Sequence, residues 1–517
     1  MKSNFLKFIY FFYKVAIIVS LIILFLGILR INFSFNADYY CADMYSDILY
    51  SKYACQYHSI FPEGWVFGNQ FYVIATPVIA ALFFNFSENP FIAMGIASSV
   101  MALGVIISFL WMLKSVFKNI WIRLTALLAF LVLTLLVGDP IYDINGWQLL
   151  FTMCSYYSCY TITAFIGFGI YLNISEFRGK QFKFGIIILI LECIFSFCTG
   201  MQSLRQTAIM TLPLLGVEFV MILRRKINKE KIFNIKTVIA ICISISNILG
   251  LIVIKKLDIP TNNIIGSLQI KSLRHILSSI IPEFFNITSI FGDNISKIFS
   301  IIIGLLFISI LCLILIKSKS IECKSITLFL IFGILIVYAI SIVTALNSRP
   351  IYYFMVFPLC SILIAFIIEN TKNYIKLIIT IILILTSSIC FINKVPLKKP
   401  SHYIDNDIQE ATELLLNEDI TTLYAPFGFG GKISLNTNLK IKTGFWFNSE
   451  LFGKVDYICN PDIFNISPEK TAYVFNSEDM KNEALKIADS KSAKTNLLYC
   501  SPENNIWIYS SSISLID

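Results

Sequence analysis

From residue 8 to residue 392 the chain is a succession of long apolar runs separated by short polar joints. A helix that crosses a bilayer needs about 20 predominantly apolar residues. Eleven runs approach or exceed that length: 8–29, 91–113, 122–137, 148–172, 184–198, 207–223, 238–254, 299–316, 326–346, 351–368 and 375–392. A further run, 71–84, is short and contains Pro77. Past residue 396 the pattern changes to that of a soluble module. Residues 405–417 and 478–489 have helical spacing. Residues 421–425, 440–447, 455–459 and 471–475 read as strands, and 497–500 with 506–509 as a hairpin. Gly428, Gly430 and Gly431 read as a loop and match no phosphate-binding signature. The expected fold is therefore an all-α polytopic membrane protein with about eleven transmembrane helices, a re-entrant or juxtamembrane helix, and a small C-terminal α/β domain. The domain division falls at 1–395 and 396–517.

Charge placement orients these elements. If 71–84 does not cross, one set of joints holds Lys114, Lys118, Arg123, Arg178, Lys180, Lys183, the run Arg224–Lys226, Lys229, Lys231, Lys317, Lys319, Lys324 and Lys372. The opposite short joints carry only Arg205 and Arg349. The positive-inside rule then puts the N-terminus in the cytoplasm and the C-terminal module outside. Had 71–84 crossed, every later basic joint would move outside. Residues 5–29 are too long for a signal peptide and read as the first span.

Composition narrows the function classes. Of 517 residues, 57% are hydrophobic and 14% charged, against about 25% charged in soluble proteins. The net charge of +9 belongs to the topology signal and is no footprint of nucleic-acid binding. Thirteen cysteines and three histidines show no metal-ligand spacing. Cys41 with Cys55, and Cys459 with Cys500, are the pairs an oxidising compartment would allow.

Candidate chemistry clusters at the outer ends. Asp38, Asp43 and Asp47 lie within ten residues of one another, directly after the first span. On a helix, Asp43 and Asp47 share a face. A carboxylate there, partly desolvated, can accept a proton from a hydroxyl; the plain alternative is a solvated loop with capping aspartates. Asp139 and Asp143 sit in the next outer joint. Asp143 is suited to a sugar hydroxyl or, with the first-loop aspartates, a divalent cation. Arg205 and Arg349 stand at outer helix ends, where a guanidinium either grips a phosphate in bidentate fashion or serves as an interface anchor. His58, Glu63 and Trp65 line one short stretch, with Trp65 as an interfacial aromatic or a platform for a sugar ring. Glu192 lies mid-span, to be paired with Lys14 or a buried hydroxyl unless functional. Glu218 stands within reach of Arg224 or Arg225. The outer loop 255–297 carries Lys271, Arg274 and His275.

This layout resembles the GT-C superfamily of integral membrane glycosyltransferases. First-loop aspartates, a half-buried helix before the second true span, a short acidic second loop and an outer C-terminal domain carry the likeness. So do Phe61–Phe67 and the segment from Leu204-Arg205-Gln206 to Pro213-Leu214. The resemblance lacks a His-Pro-Pro tripeptide, and the one Asp-x-Asp, Asp405-Asn406-Asp407, sits in the C-terminal module, where it starts a helix. It implies transfer of a sugar from a polyprenyl-phosphate donor to a glycan or lipid acceptor on the outer face of a bacterial plasma membrane. Asp47 or Asp43 would be the base, and Arg205 with Arg349 would steady the leaving phosphate. A transporter of lipid-linked sugars and a polysaccharide polymerase or ligase are the competing readings.

Overall fold

The computed structural model describes residues 2–33, 42–136 apart from 69, 85 and 88, 138–139, 144–174 apart from 153 and 154, 180–261, 270–272, 274, 309, 311–313, 315, 316, 318, 320–343, 354–395, 406–426, 429–446, 451–455, 458–460, 463, 464 and 468–516. Among them, seven helices are long and apolar enough to cross a membrane. The chain is a multi-pass helical membrane protein with a small C-terminal sheet.

In order, α1 spans Lys2–Asn32, α2 Ala42–Gln56, α3 Thr76–Phe83, α4 Pro90–Met112 and α5 Ile120–Leu136. Then come α6 (Gly146–Leu150), α7 (Ser158–Asn173), α8 (Lys180–Gln202), α9 (Leu212–Ile227) and α10 (Ile235–Lys256). Helices Ile321–Val343, Val356–Asn370 and Asn373–Lys394 complete the bundle. The expected span 299–316 lies mostly outside the described residues. Helix α3 has eight residues, about 12 Å at 1.5 Å per residue, too short to cross. Pro77 opens it, where a missing N–H costs nothing.

One expected span is broken. The run 148–172 is not one helix. Helix α6 ends at Leu150, the chain turns through Ser155 at φ 44°, and α7 starts at Ser158. The polar residues Thr152, Ser155 and Ser158 make the turn possible. Ser158 Oγ donates to the Leu150 carbonyl at 2.8 Å, and Tyr157 N donates to the Leu149 carbonyl at 2.9 Å. Irregular backbone at this depth is buried in protein, as it must be. A second irregularity is the π-helical turn Thr207–Thr211 before α9. Pro213 lacks the N–H for a regular bond, and a π turn absorbs the mismatch.

The bundle core runs through α4, α5, α7, Ile321–Val343 and Val356–Asn370, with Phe109, Phe130 and Phe165 in mutual ring contact. At the basic end, Glu218 accepts from Arg225 (2.5 Å), Tyr171 (2.6 Å) and Thr237 (2.6 Å). This is the pairing expected for Glu218. Glu192 differs from expectation. Lys14 lies over the Trp121 ring at 5.0 Å. Glu192, fully buried beside Gly167, has no hydrogen-bond partner on either oxygen among the described residues.

The C-terminal sheet has the order β5-β4-β3-β6-β8-β7. Its strands are β3 Thr422–Pro426, β4 Lys442–Trp446, β5 Lys454–Val455, β6 Thr471–Phe475, β7 Thr495–Ser501 and β8 Ile506–Ser511. A two-residue ladder, β1 (Gly138–Asp139) with β2 (Ile144–Asn145), lies in the membrane region. The central pairs β3–β4 and β3–β6 are parallel and the rest antiparallel. Alternation along β3 sends Leu423 and Ala425 to one face, with helix Asn406–Asn417, and Tyr424 to the other, with helix Glu478–Ser490. The expected strand 455–459 is only Lys454–Val455; Cys459 instead bridges to Val66. Gly430 and Gly431, expected in a loop, begin helix Gly430–Asn436. A Cβ on Gly431 would come 2.9 Å from Cβ of Tyr45, so the glycine permits close docking on α2. Asp407 starts its helix and accepts from Tyr499 at 3.0 Å. Cys500 is an exposed free thiol, so Cys459 and Cys500 are not bridged; Cys41 lies outside the described residues.

Candidate active site

The sheet and the segment after α1 share one core. Met44, Tyr45, Ile48, Leu49 and Trp65 cluster with Leu435, Leu439, Phe445, Val455 and Cys459. Two backbone bonds join the parts, Val66 N to Cys459 O (3.0 Å) and Ile458 N to Val66 O (2.7 Å). Phe67 N also donates to Pro260 O at 3.0 Å, beyond the end of α10.

Helix α2 carries Asp47, which is 2% exposed. Its Oδ1 accepts a 2.5 Å hydrogen bond from the Tyr72 phenol. Tyr72 in turn packs against Tyr50 with ring centroids 4.5 Å apart. Tyr50 donates to the Ile60 carbonyl at 2.7 Å. Burial, and then the nearby Asp47 charge, push the Tyr50 phenol far above its ordinary value, so it stays a donor. An aromatic wall of Trp65 and Phe67 closes this side.

Tyr72 belongs to an extended strap, residues 70–74, between α2 and α3. The strap is sewn to the end of α8. Phe71 N donates to Gln202 O at 2.9 Å, and Val73 N and Ile74 N donate to Gln202 Oε1 at 3.1 and 3.2 Å. Gln202 Nε2 donates to Tyr160 Oη at 3.0 Å. Arg205, half-buried just past α8, donates from Nη1 to Gln70 Oε1 and lies over the Tyr157 ring at 5.5 Å. Tyr157 is held there by stacking on Phe354 at 4.8 Å. The break between α6 and α7 is what puts Tyr157 and Tyr160 at this end of the bundle.

Gln70 and Tyr72 are two residues apart, at most about 7 Å along the chain. The strap thus holds both groups, the Asp47 carboxylate through Tyr72 and the Arg205 guanidinium through Gln70. An acid and a cation so placed, among tyrosines, can deprotonate a hydroxyl and bind an anionic leaving group.

Of the other expected residues, Trp65 is buried in the wall, while Glu63 and His58 (φ 50°) are exposed on the turn after α2. Asp43 lies on α2, as its spacing to Asp47 required, but its side chain is outside the described residues. Asp38, Asp143 and Arg349 are outside them entirely. Among the described residues no three His, Cys, Asp or Glu side chains gather to hold a metal. Gln70, Tyr72, Tyr157, Tyr160 and Gln202 were not singled out from the sequence. The one available signal was their polarity next to apolar runs, which is too common to discriminate.

Two crystal structures of ArnT from Cupriavidus metallidurans superpose along the whole chain. The apo form matches with a TM-score of 0.52 and 9% identity, covering 97% of this chain and 98% of that one. The form bound to undecaprenyl phosphate matches with a TM-score of 0.52, 10% identity and the same coverage. The chain has an ArnT-like fold. No protein-family model matches the sequence, and neither does any curated protein.

Proposed function

We propose that this chain is a membrane glycosyltransferase that moves a sugar from a polyprenyl-phosphate carrier to a glycan or lipid acceptor. The reaction takes place at the outer face of the plasma membrane, with the N-terminus cytoplasmic and residues 396–517 as an outer domain. Asp47 removes the proton from the acceptor hydroxyl. The hydroxyl oxygen then attacks the anomeric carbon as the bond from that carbon to the phosphate oxygen breaks. The phosphate leaves with the electron pair, and the anomeric configuration inverts. Tyr72 fixes the rotamer of the Asp47 carboxylate. Arg205, aimed by Gln70 and Tyr157, takes up the charge that develops on the leaving phosphate, with Arg349 as its expected partner.

The observation that carries this reading is that one strap holds both Asp47, through Tyr72, and Arg205, through Gln70, within an ArnT-like fold. The undecaprenyl phosphate bound in one ArnT structure is a carrier of the required chemical class. The test uses membrane vesicles supplied with a lipid-linked sugar. Transfer to a glycan should occur with the native chain and drop by about 10²–10⁴-fold in Asp47→Asn, the usual worth of a general base. Full transfer by a well-inserted Asp47→Asn protein refutes the assignment.

A further inference from the structure

Gln202, the last residue of α8, is 1% exposed and stands between the two ends of the site. The strap is pinned to it on both sides of Tyr72. Before Tyr72, the Phe71 N–H donates to the Gln202 backbone carbonyl at 2.9 Å. After it, the Val73 and Ile74 N–H groups converge on Gln202 Oε1 at 3.1 and 3.2 Å. An amide oxygen has two lone pairs and can take both donors. The aim of the Tyr72 phenol at Asp47 is thus set by one residue of a distant helix.

Those two donors also fix which way round the amide lies, because only its oxygen can meet them. With the oxygen toward the strap, the nitrogen faces α7. There Nε2 donates to Tyr160 Oη at 3.0 Å and to Cys159 Sγ at 3.3 Å. The Tyr160 hydroxyl, accepting from Gln202, donates its own hydrogen to Gln70 Oε1 at 3.4 Å. The same Gln70 oxygen accepts from Arg205 Nη1. The direction of each bond follows from the first: strap amides to Gln202, Gln202 to Tyr160, Tyr160 to Gln70, with Arg205 meeting Gln70 from the other side. Gln202 and Tyr160 are both buried, where such bonds strengthen one another and a lost partner costs more than in water.

We propose that Gln202 is a positioning residue that sets the acid end and the cation end of the site together. Its oxygen holds the backbone that carries Tyr72, and so the rotamer of Asp47. Its nitrogen holds Tyr160, through it Gln70, and so the aim of Arg205. Gln202 itself acts on no reacting atom. The proposal rests on the glycosyl-transfer reading for what the strap positions, and not for the hold on the strap. It makes the two ends separable from one side only: Tyr160 serves the cation end alone, whereas Gln202 serves both.

The test compares Gln202→Met, Tyr160→Phe and the native full-length chain in nanodiscs. Hydrogen exchange reads the Val73 and Ile74 amides, and binding of undecaprenyl phosphate reads the cation end. In Gln202→Met, exchange at these two amides should speed up about tenfold, and affinity for undecaprenyl phosphate should fall by about three- to tenfold, the worth of one hydrogen bond at each end. Tyr160→Phe should weaken binding to the same degree and leave the exchange native. In the vesicle assay Gln202→Met should also lower kcat, and Tyr160→Phe should not, a split that general loosening of the bundle would not produce. Native exchange in Gln202→Met, native binding in both variants, or no binding by the native chain overturns the proposal. Should Gln202→Met fail to insert, Tyr160→Phe decides: native binding, or faster exchange at the strap, overturns it. Full transfer by Asp47→Asn beside the expected exchange and binding would overturn the base assignment and leave the role of Gln202 standing. An inactive Asp47→Asn beside a native-like Gln202→Met would overturn this inference alone.

Discussion

The two faces of α2 do different work. One face, with Asp47, Tyr50 and Ser51, looks toward the strap and is knitted by polar bonds: Tyr72 to Asp47, Tyr50 to the Ile60 carbonyl, Ser51 to the Asp47 carbonyl. The other, with Tyr45, Leu49 and Tyr53, packs on the C-terminal sheet and leaves a cavity there. Burial, followed by the nearby Tyr57 and Cys459, pushes the Tyr53 phenol up to about 12, so it stays neutral. A single helix of 15 residues thus separates a face suited to proton transfer from one that docks the sheet. Disturbing one face should leave the other intact.

The sharpest way to break this comparison is Asp47→Asn. It should remove about 10²–10⁴-fold of transfer rate while leaving the docking of the sheet, read by the melting temperature, unchanged. If it also loosens the sheet from the bundle, the faces are not independent. Next in size is Arg205→Ala. Loss of a charge-assisted bond is worth about 1.5–3 kcal/mol, or roughly 10–150-fold at 1.4 kcal/mol per decade. Donor titration should show it as weaker use of the lipid-linked sugar. Arg205→Lys should recover only part, because an ammonium lacks the planar fork. A KM for donor unchanged by either substitution would separate Arg205 from the phosphate.

Gly431→Val probes the docking face. A side chain there meets Tyr45 Cβ at 2.9 Å, and overpacking costs about 1–3 kcal/mol. The melting temperature of the purified protein should fall and proteolysis between bundle and sheet should speed up. An unchanged melting curve would mean that the docking is looser than the shared core indicates. The smallest effect is expected for Tyr72→Phe. One hydrogen bond is worth about 0.5–1.5 kcal/mol, so transfer should drop by up to about tenfold with acceptor KM little changed. A loss as large as that of Asp47→Asn would make Tyr72 more than an orienting group.

Much of the membrane part was legible in the chain. Apolar run length located α1, α4, α5 and α8 within a few residues, because in a bilayer every backbone group must be satisfied inside its own helix. Charge placement predicted that 71–84 would not cross, and α3 is too short to do so. In the C-terminal sheet, β3 and β6 matched the expected strands closely, since both are buried on both faces and rich in apolar residues. The failures have local causes. Residues 148–172 are apolar on average, yet Thr152, Ser155 and Ser158 let the backbone close a turn within the run. Gly430 and Gly431 read as punctuation, but they begin a helix because docking on Tyr45 leaves no room for a Cβ.

The chain by itself determined where apolar helices form and where the acids and arginines stand between them. These follow from solvent: hydrocarbon selects apolar helices, and uncompensated charge collects where water is. Only the tertiary structure decided which of those residues meet. That Gln202 sews the strap to α8, that Gln70 reaches Arg205 while Tyr72 reaches Asp47, and that the sheet shares a core with α2 all depend on contacts between residues far apart in sequence. Such contacts arise from shape and hydrogen-bond geometry after packing, and periodicity along the chain carries no record of them.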